Sequence, residues 1–216
     1  NPTIAIPGSM PIILIVTSVP IIRYNVIMAV HWLGVVGRNG SGKSTVCEYL
    51  VSKGYRVFSL SDVVRQYATR VGQTHDRDTL TQLANQLKSD HGADYFARCV
   101  QDEARAIDQQ SVVFDSIRHP DEIHYLKTHQ VKFIGVHAPL KDCYERIVRR
   151  GKGTDFVSFD EFERQDAYEM NGQSFGQLIS ECLLLCDVSI ENDGDLRNLY
   201  DRVDDMLKKM DNAYVK

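Results

Sequence analysis

The feature that most constrains this chain is a glycine-rich segment that joins a β-branched run to an amphipathic stretch: Gly37-Arg38-Asn39-Gly40-Ser41-Gly42-Lys43-Ser44-Thr45. Glycines let the backbone turn and bring its N–H groups against phosphate oxygens without obstruction by Cβ atoms. The helix that follows adds its positive N-terminal end to this anion site. We therefore predict a phosphate-binding loop, in which Lys43 reaches the β- and γ-phosphates of a nucleotide and the Ser44 hydroxyl binds Mg²⁺.

This segment lies within a pattern that alternates short β-branched runs with longer amphipathic stretches, as is typical of βαβ units around a parallel sheet. The pattern predicts strands at 30–36, 55–60, 111–114, 131–136 and 188–191. It predicts helices at 43–53, 61–70, 79–106, 121–128, 141–150, 160–170 and 196–209, with Ser61 as a helix N-cap and an interruption of the longest helix at Gly92. The expected fold is therefore α/β, the three-layer P-loop NTPase fold, with a central parallel sheet of five strands and helices on both faces.

The size and charge of the chain limit the class of protein to which it can belong. Its 216 residues, of which 43% are hydrophobic, suffice for one domain, which we expect at 28–216. A net charge of -4 argues against a protein that holds nucleic acid along a basic face. Five scattered cysteines without metal-ligand spacing favour reduced thiols in a cytoplasmic protein.

The first 27 residues are expected to be an extension that is not part of the fold. Their apolar run at 12–19 lies between Pro11 and Pro20. Because that run is far shorter than the roughly 20 residues needed to cross a bilayer, we predict no membrane span.

Two of the predicted strands are followed by an acidic residue and, three residues later, an arginine. Asp62 and Arg65 follow the second strand, and Asp115 and Arg118 follow the third. Because the carboxyl ends of parallel strands share one edge of the sheet, these side chains are predicted to lie beside the glycine-rich loop. That edge is where open α/β sheets bind ligands.

From about residue 28 to residue 210 the chain resembles the nucleoside-monophosphate kinase superfamily, which includes adenylate kinase and dephospho-CoA kinase. It resembles more closely an archaeal family of nucleotide kinases and the kinase-like N-terminal domain of some deoxycytidylate deaminases. Besides the glycine-rich loop, the resemblance rests on Leu60-Ser61-Asp62-Val63-Val64-Arg65, Asp115-Ser116-Ile117-Arg118, His137-Ala138-Pro139, Glu145-Arg146-Ile147-Val148-Arg149-Arg150-Gly151 and Ser189-Ile190-Glu191-Asn192-Asp193-Gly194. It implies ATP and Mg²⁺ as cofactors, a small phosphorylated acceptor, a helical acceptor-binding region and a short lid at 141–164.

The resemblance also implies roles on the acceptor side. Asp62 resembles the acid that orients or deprotonates the acceptor, and Arg65 resembles the neighbouring arginine that holds the acceptor phosphate. Arg118 resembles the acceptor-binding arginine of the Asp-Gly-Phe-Pro-Arg stretch of adenylate kinases. Here the spacing is one residue shorter and the Gly and Phe are missing, so the resemblance does not imply AMP as the acceptor.

On the donor side, Asp115 stands where an acid would help Ser44 to position Mg²⁺. Arg146 and Arg150 resemble the arginines that lead into the lid, of which one lies along the adenine and the other contacts the transferring phosphate. Asn192 resembles the loop that passes under the adenine. The catalytic residues predicted in this way are Lys43, Asp62, Arg118, Arg146 and Arg150.

Several of these residues also have a purely structural interpretation. Asp62 is equally suited to capping the helix that follows the second strand. Arg150 is suited to a solvated helix end, where the macrodipole favours a cation. Arg146 is suited to pairing with Asp142 four residues before it.

The first functional hypothesis is an ATP-dependent kinase that phosphorylates a nucleotide or nucleotide-like acceptor. The second is a kinase-like ATP-binding domain that senses nucleotide and regulates a partner such as a deoxycytidylate deaminase. Deamination itself is excluded because the chain lacks the zinc signature of those enzymes. A switch GTPase is disfavoured because the chain has no Asn-Lys-x-Asp stretch to bind guanine. A homodimer is left open.

Overall fold

A computed structural model describes residues 31–107, 111–151, 157–172 and 177–214. The extension predicted at 1–27 lies outside the described residues. Five strands form one sheet: β1 (Trp32–Val36), β2 (Arg56–Ser59), β3 (Val112–Asp115), β4 (Lys132–His137) and β5 (Val188–Glu191). They lie in the order β2-β3-β1-β4-β5, and every neighbouring pair is parallel. The predicted parallel sheet of five strands is confirmed.

The helices lie between and beyond these strands. In the described part of the chain they are α1 (Lys43–Ser52), α2 (Leu60–Arg70), α3 (Arg77–His91), α4 (Tyr95–Arg105), α5 (Pro120–Lys127), α6 (Leu140–Arg150), α7 (Phe159–Met170), α8 (Ile179–Leu184) and α9 (Leu196–Tyr214).

The sheet is covered on both faces because the side chains of each strand alternate in direction. In β3, Val112 and Phe114 pack into a core cluster with α2, α4 and α5, whereas Val113 packs into a second cluster with α1 and α9. These two clusters confirm the predicted three-layer arrangement. A smaller cluster joins α6 to α7 within the segment predicted as a lid, and it contains Cys143, Ile147 and Phe162.

The structure corrects the sequence-based prediction at two places. The helix after β2 begins at Leu60, with Ser59 and not Ser61 as its N-cap, because the fully buried Leu60 already enters the helix from the end of the strand. Helix α8 was not predicted, since its six residues are too few to show a helical period. The predicted interruption at Gly92 is confirmed, and the φ of 100° at this glycine ends α3. No helix in the described ranges is long and apolar enough to span a membrane.

Candidate functional site

The glycine-rich loop connects β1 to α1, and two of its glycines adopt a backbone conformation that other residues rarely adopt. The φ angle is 81° at Gly40 and 103° at Gly42. A Cβ atom at Gly40 would collide with the carbonyl of Cys143, and one at Gly42 would collide with the side-chain amide of Asn192. The first turn of α1 carries no acidic side chain that would compete with an anion for the positive end of the helix. The local geometry therefore matches the phosphate-binding loop predicted from the sequence.

Asn192 and Arg146 hold this loop in place. The side-chain amide of Asn192, which is buried, donates a hydrogen bond of 2.8 Å to the Ser41 carbonyl. Arg146 donates to the Asn192 carbonyl at 2.8 Å and to the Ser41 carbonyl at 3.5 Å. The family resemblance implies contact with ATP for both residues. In the structure they bond to the loop backbone, and neither is among the described residues that line the cavity next to it.

Lys43 lies at the junction of the loop and α1. Its Nζ donates a 2.8 Å hydrogen bond to the Arg38 carbonyl, which folds the side chain back over the loop. Burial, followed by repulsion from Arg118, lowers the pKa of Lys43 from 10.5 to about 8, and the negative charge of Asp115 opposes this shift. A lysine held in this way gains stability when an anion binds beside it.

A cavity of about 560 Å³ opens beside Lys43 at the carboxyl ends of β2 and β3. Its size is in the range of small-molecule binding sites. It combines residues of the loop with residues of α2, α3 and α7. The Lys, Arg, Asp and Glu side chains in its described lining are Lys43, Arg65, Arg77, Lys88, Arg118, Arg150, Asp115, Glu122 and Glu169. Basic groups outnumber acidic ones there, which favours an anionic ligand although the whole chain carries a net charge of -4.

Ser44 and Asp115, the two residues predicted to serve Mg²⁺, both line this cavity. The Ser116 hydroxyl donates to the Asp115 carboxylate at 3.2 Å and accepts a hydrogen bond from Ser59 at 3.1 Å. The described residues contain no cluster of three or more acidic, His or Cys side chains that could hold a metal by themselves. A hydroxyl and one carboxylate fit Mg²⁺, which keeps several waters and takes its remaining ligands from substrate phosphates.

Three of the predicted arginines line the cavity, and they differ in the partners that their side chains contact. Arg118 lines it, and among the residues that the structure describes its guanidinium has no hydrogen-bonding or ion-pair partner. Arg150 also lines it and donates to the side-chain oxygen of Asn39 at 3.4 Å. Arg65 lines the α2 side, where its guanidinium bonds to the Asp62 carboxylate at 3.1 Å and to Ser61.

Asp62 itself is not among the described residues that line the cavity. It lies in the first turn of α2, its side chain is 59% exposed, and its described ion pair is with Arg65. The structure therefore brings Lys43, Ser44, Asp115 and Arg118 together at the cavity. Asp62 lies outside its lining, next to Ser61, which does line it.

Two ion pairs that are not predicted from the sequence connect α7 to both sides of the cavity. Asp166 pairs with Arg38 of the glycine-rich loop at 3.2 Å, and burial raises the pKa of this carboxyl group although Arg38 opposes the shift. One turn further along α7, Glu169 pairs with Arg77 at the start of α3. The sequence does carry a signal for these pairs, because Asp166 and Glu169 are three residues apart and therefore lie on one face of the predicted helix at 160–170.

The comparisons with known proteins agree with this fold. A family model described as an AAA domain matches residues 33–168. The UPF0200 protein of Hyperthermus butylicus is 31% identical over 160 residues, which cover 73% of this chain and 86% of that protein. The UPF0200 protein of Sulfurisphaera tokodaii is 27% identical over 180 residues, which cover 82% of this chain and 96% of that protein.

Solved structures share the architecture at lower identity. TT1252 from Thermus thermophilus has a TM-score of 0.57 at 22% identity and covers 83% of this chain and 98% of its own. Shikimate kinase from Acinetobacter baumannii, solved in complex with shikimate, has a TM-score of 0.54 at 15% identity and covers 88% of this chain and 98% of its own. At these identities the likeness shows a kinase-like P-loop fold. The chain belongs to the AAA domain family and to the UPF0200 proteins.

Proposed function

We propose that this protein is an ATP-dependent kinase that transfers a phosphoryl group to a small phosphorylated acceptor of the nucleotide class. The observation that carries this proposal is that Lys43 and Arg118 line one cavity, where burial and then the charge of Arg118 lower the pKa of Lys43. Two cations that repel each other in the free protein are both stabilised when a phosphate group lies between them. The kinase-like P-loop fold supports the same function.

Phosphoryl transfer requires positioning and charge stabilisation more than covalent chemistry by the protein, because charge spreads over the phosphoryl oxygens in the transition state. In the proposed reaction Lys43 and the loop N–H groups hold the β- and γ-phosphates of ATP. Arg150 offers a planar, forked donor to the group in transfer, and Arg118 offers one to the acceptor phosphate that receives it. Mg²⁺ held by Ser44 and Asp115 would offset the charge of the donor phosphates.

Arg65, on the α2 side of the cavity, is proposed to bind the acceptor phosphate together with Arg118. Its ion pair with Asp62 gives that acid the role of orienting Arg65. A general base is not required when a phosphate oxygen is the attacking atom, as in a nucleoside monophosphate, because the phosphate oxygens are already largely ionised at pH 7.

Helix α7 is proposed to shield the reaction from water. It is tied to the donor side by the pair of Asp166 with Arg38 and to the acceptor side by the pair of Glu169 with Arg77. Exclusion of water directs the phosphoryl group to the acceptor and away from hydrolysis.

The test is an ATP-consumption assay with a panel of nucleoside monophosphates and dephospho-CoA. The wild-type chain should turn over with one acceptor, and Lys43→Ala should lower kcat by about 100-fold or more. Lys53→Ala is the matched control, because Lys53 is the C-cap residue of the same helix and pairs with Asp204 away from the cavity. Undiminished turnover in Lys43→Ala would refute the proposed reaction.

The second candidate function is a nucleotide sensor that regulates a partner. The observation that favours it is the exposure of the acceptor side, where the side chains of Arg65 and Asp62 are 48% and 59% exposed. The same panel separates the two functions, since a sensor would bind ATP tightly and turn over with none of the acceptors.

A further inference from the structure

The carboxylate of Glu122 is buried in the wall of the cavity and bonds to three donors. One of its oxygens accepts the backbone N–H groups of Arg118 at 2.8 Å and His119 at 3.1 Å. The other lies 2.9 Å from the ammonium group of Lys88. The side chains of Glu122 and Lys88 are only 2% and 6% exposed.

Ordinary helix capping explains only part of this arrangement. Glu122 is the third residue of α5, and its bond to His119, the N-cap residue, completes a capping box. The bond to the Arg118 N–H lies outside that motif. So does the pair with Lys88, which reaches Glu122 from α3.

A contribution to the stability of the fold is also a weak explanation for the buried ion pair of Glu122 with Lys88. The desolvation of two charges often exceeds their attraction, and well-packed apolar side chains frequently serve as well or better. A different explanation comes from the position of this pair, since both partners line the cavity that holds Lys43 and Arg118. An unpaired Glu122 carboxylate there would repel a phosphate ligand, and Lys88 neutralises it.

Arg118 is the cavity residue whose backbone Glu122 holds. Its backbone is held from both directions, because its N–H bonds to Glu122 and its carbonyl accepts the N–H of Leu178 at 2.8 Å. Its guanidinium, by contrast, has no polar partner among the described residues. A fixed backbone with an unpaired cationic side chain suits a group whose partner is the substrate.

We propose that Glu122, neutralised by Lys88, is a positioning residue that fixes Arg118 for binding the phosphate of the acceptor. Glu122 acts through Arg118 and does not touch the substrate. The proposal rests on the kinase function proposed above, to which it adds a determinant of acceptor binding. The proposal predicts that removal of the Glu122 carboxylate lowers kcat/KM for the acceptor only while Arg118 is present.

A double-mutant cycle tests this prediction. Glu122→Gln should lower kcat/KM for the acceptor by about 10- to 100-fold, as expected for a misplaced binding group, and leave the KM for ATP within about twofold. In an Arg118→Ala background the same substitution should change kcat/KM by less than about twofold, because the residue through which Glu122 acts is already gone.

A second variant separates positioning from folding. Glu122→Gln alone leaves Lys88 buried without its partner, which destabilises a protein strongly. Lys88→Met combined with Glu122→Gln removes both charges, so the melting temperature should recover while kcat/KM stays low. Recovery of both quantities together would show that the pair is only structural and would overturn the proposal, as would equal effects of Glu122→Gln in both backgrounds.

Calorimetric titration of nucleoside monophosphates into protein saturated with a non-hydrolysable ATP analogue gives a readout without turnover. An acceptor that binds wild type at least about tenfold more tightly than Glu122→Gln supports the positioning role even if no phosphoryl transfer occurs, in which case only the kinase function fails. Equal binding to the two proteins would overturn the positioning role alone. A wild-type protein that neither binds nor phosphorylates any acceptor would overturn both.

Discussion

Replacing Lys43 with Met is expected to stabilise the free protein while it removes ATP binding. The pKa of Lys43 falls from 10.5 to about 8 in the folded protein, mainly through burial and then through repulsion by Arg118. At pH 7 the charged lysine therefore opposes folding by up to about 3 kcal/mol. The side chain stays partly exposed, which reduces this figure, and loss of its bond to the Arg38 carbonyl subtracts about 1 kcal/mol. The expected net gain in the free energy of unfolding is about 1 to 2 kcal/mol.

This gain should depend on pH. Because the folded-state pKa of Lys43 lies below its unfolded value, the penalty in wild type is complete below pH 8 and disappears as the pH rises from 8 to 10.5. Urea unfolding followed by circular dichroism at pH 7 and pH 10 measures the effect. The variant should be the more stable protein at pH 7, and the difference should shrink at pH 10.

Lys53→Met is the matched control for this experiment. The pKa of Lys53 is raised by hydrogen bonds to Tyr49 and Asp204, so its substitution should reduce stability slightly, by no more than about 1 kcal/mol for an exposed pair. The reasoning is refuted if Lys43→Met is no more stable than wild type at pH 7, or if its gain is the same at both pH values.

Three further predictions concern the loop and the metal. Gly42→Ala should abolish ATP binding in calorimetry, because the new Cβ atom collides with the side chain of Asn192. Gly54→Ala is the control, since Gly54 also has a positive φ but a Cβ atom there meets open space; this variant should lose about 1 kcal/mol of stability and still bind ATP. Asn192→Ala should weaken ATP binding about tenfold and destabilise the protein by about 1 to 3 kcal/mol, since the buried Ser41 carbonyl loses a donor; unchanged affinity in titrations would contradict this. Asp115→Asn should raise the Mg²⁺ concentration needed for half-maximal turnover several-fold in a metal titration, and an unchanged requirement would remove Asp115 from the metal site.

The fold could be predicted from the sequence because its signals are local. Parallel strands appear as β-branched runs, and the prediction for β5 has the boundaries that the structure shows. The glycine-rich loop was equally clear, since the positive φ angles at Gly40 and Gly42 demand glycine. Only local features of this kind leave a periodic or compositional mark on the chain.

Pairings between distant residues leave no such mark. Arg146 was expected at the nucleotide or paired with a neighbour on its own helix, yet it bonds to the Ser41 carbonyl 105 residues away. Lys88 resembles any solvated lysine on a polar helix, and its burial follows only from the way its side chain reaches from α3 to Glu122 in the first turn of α5. The acceptor side of the cavity depends on contacts of this long-range kind, so its sequence-based description was the least complete.

The most direct test of the proposed function follows the γ-phosphoryl group itself. Wild-type protein is incubated with Mg²⁺ and ATP labelled in the γ-phosphate together with each acceptor of the panel, and the products are separated by chromatography. The proposal predicts label in one phosphorylated acceptor, lost on chelation of Mg²⁺ and in Lys43→Ala but retained in Lys53→Ala. Label that stays in ATP, or appears only as free phosphate with every acceptor, would contradict it.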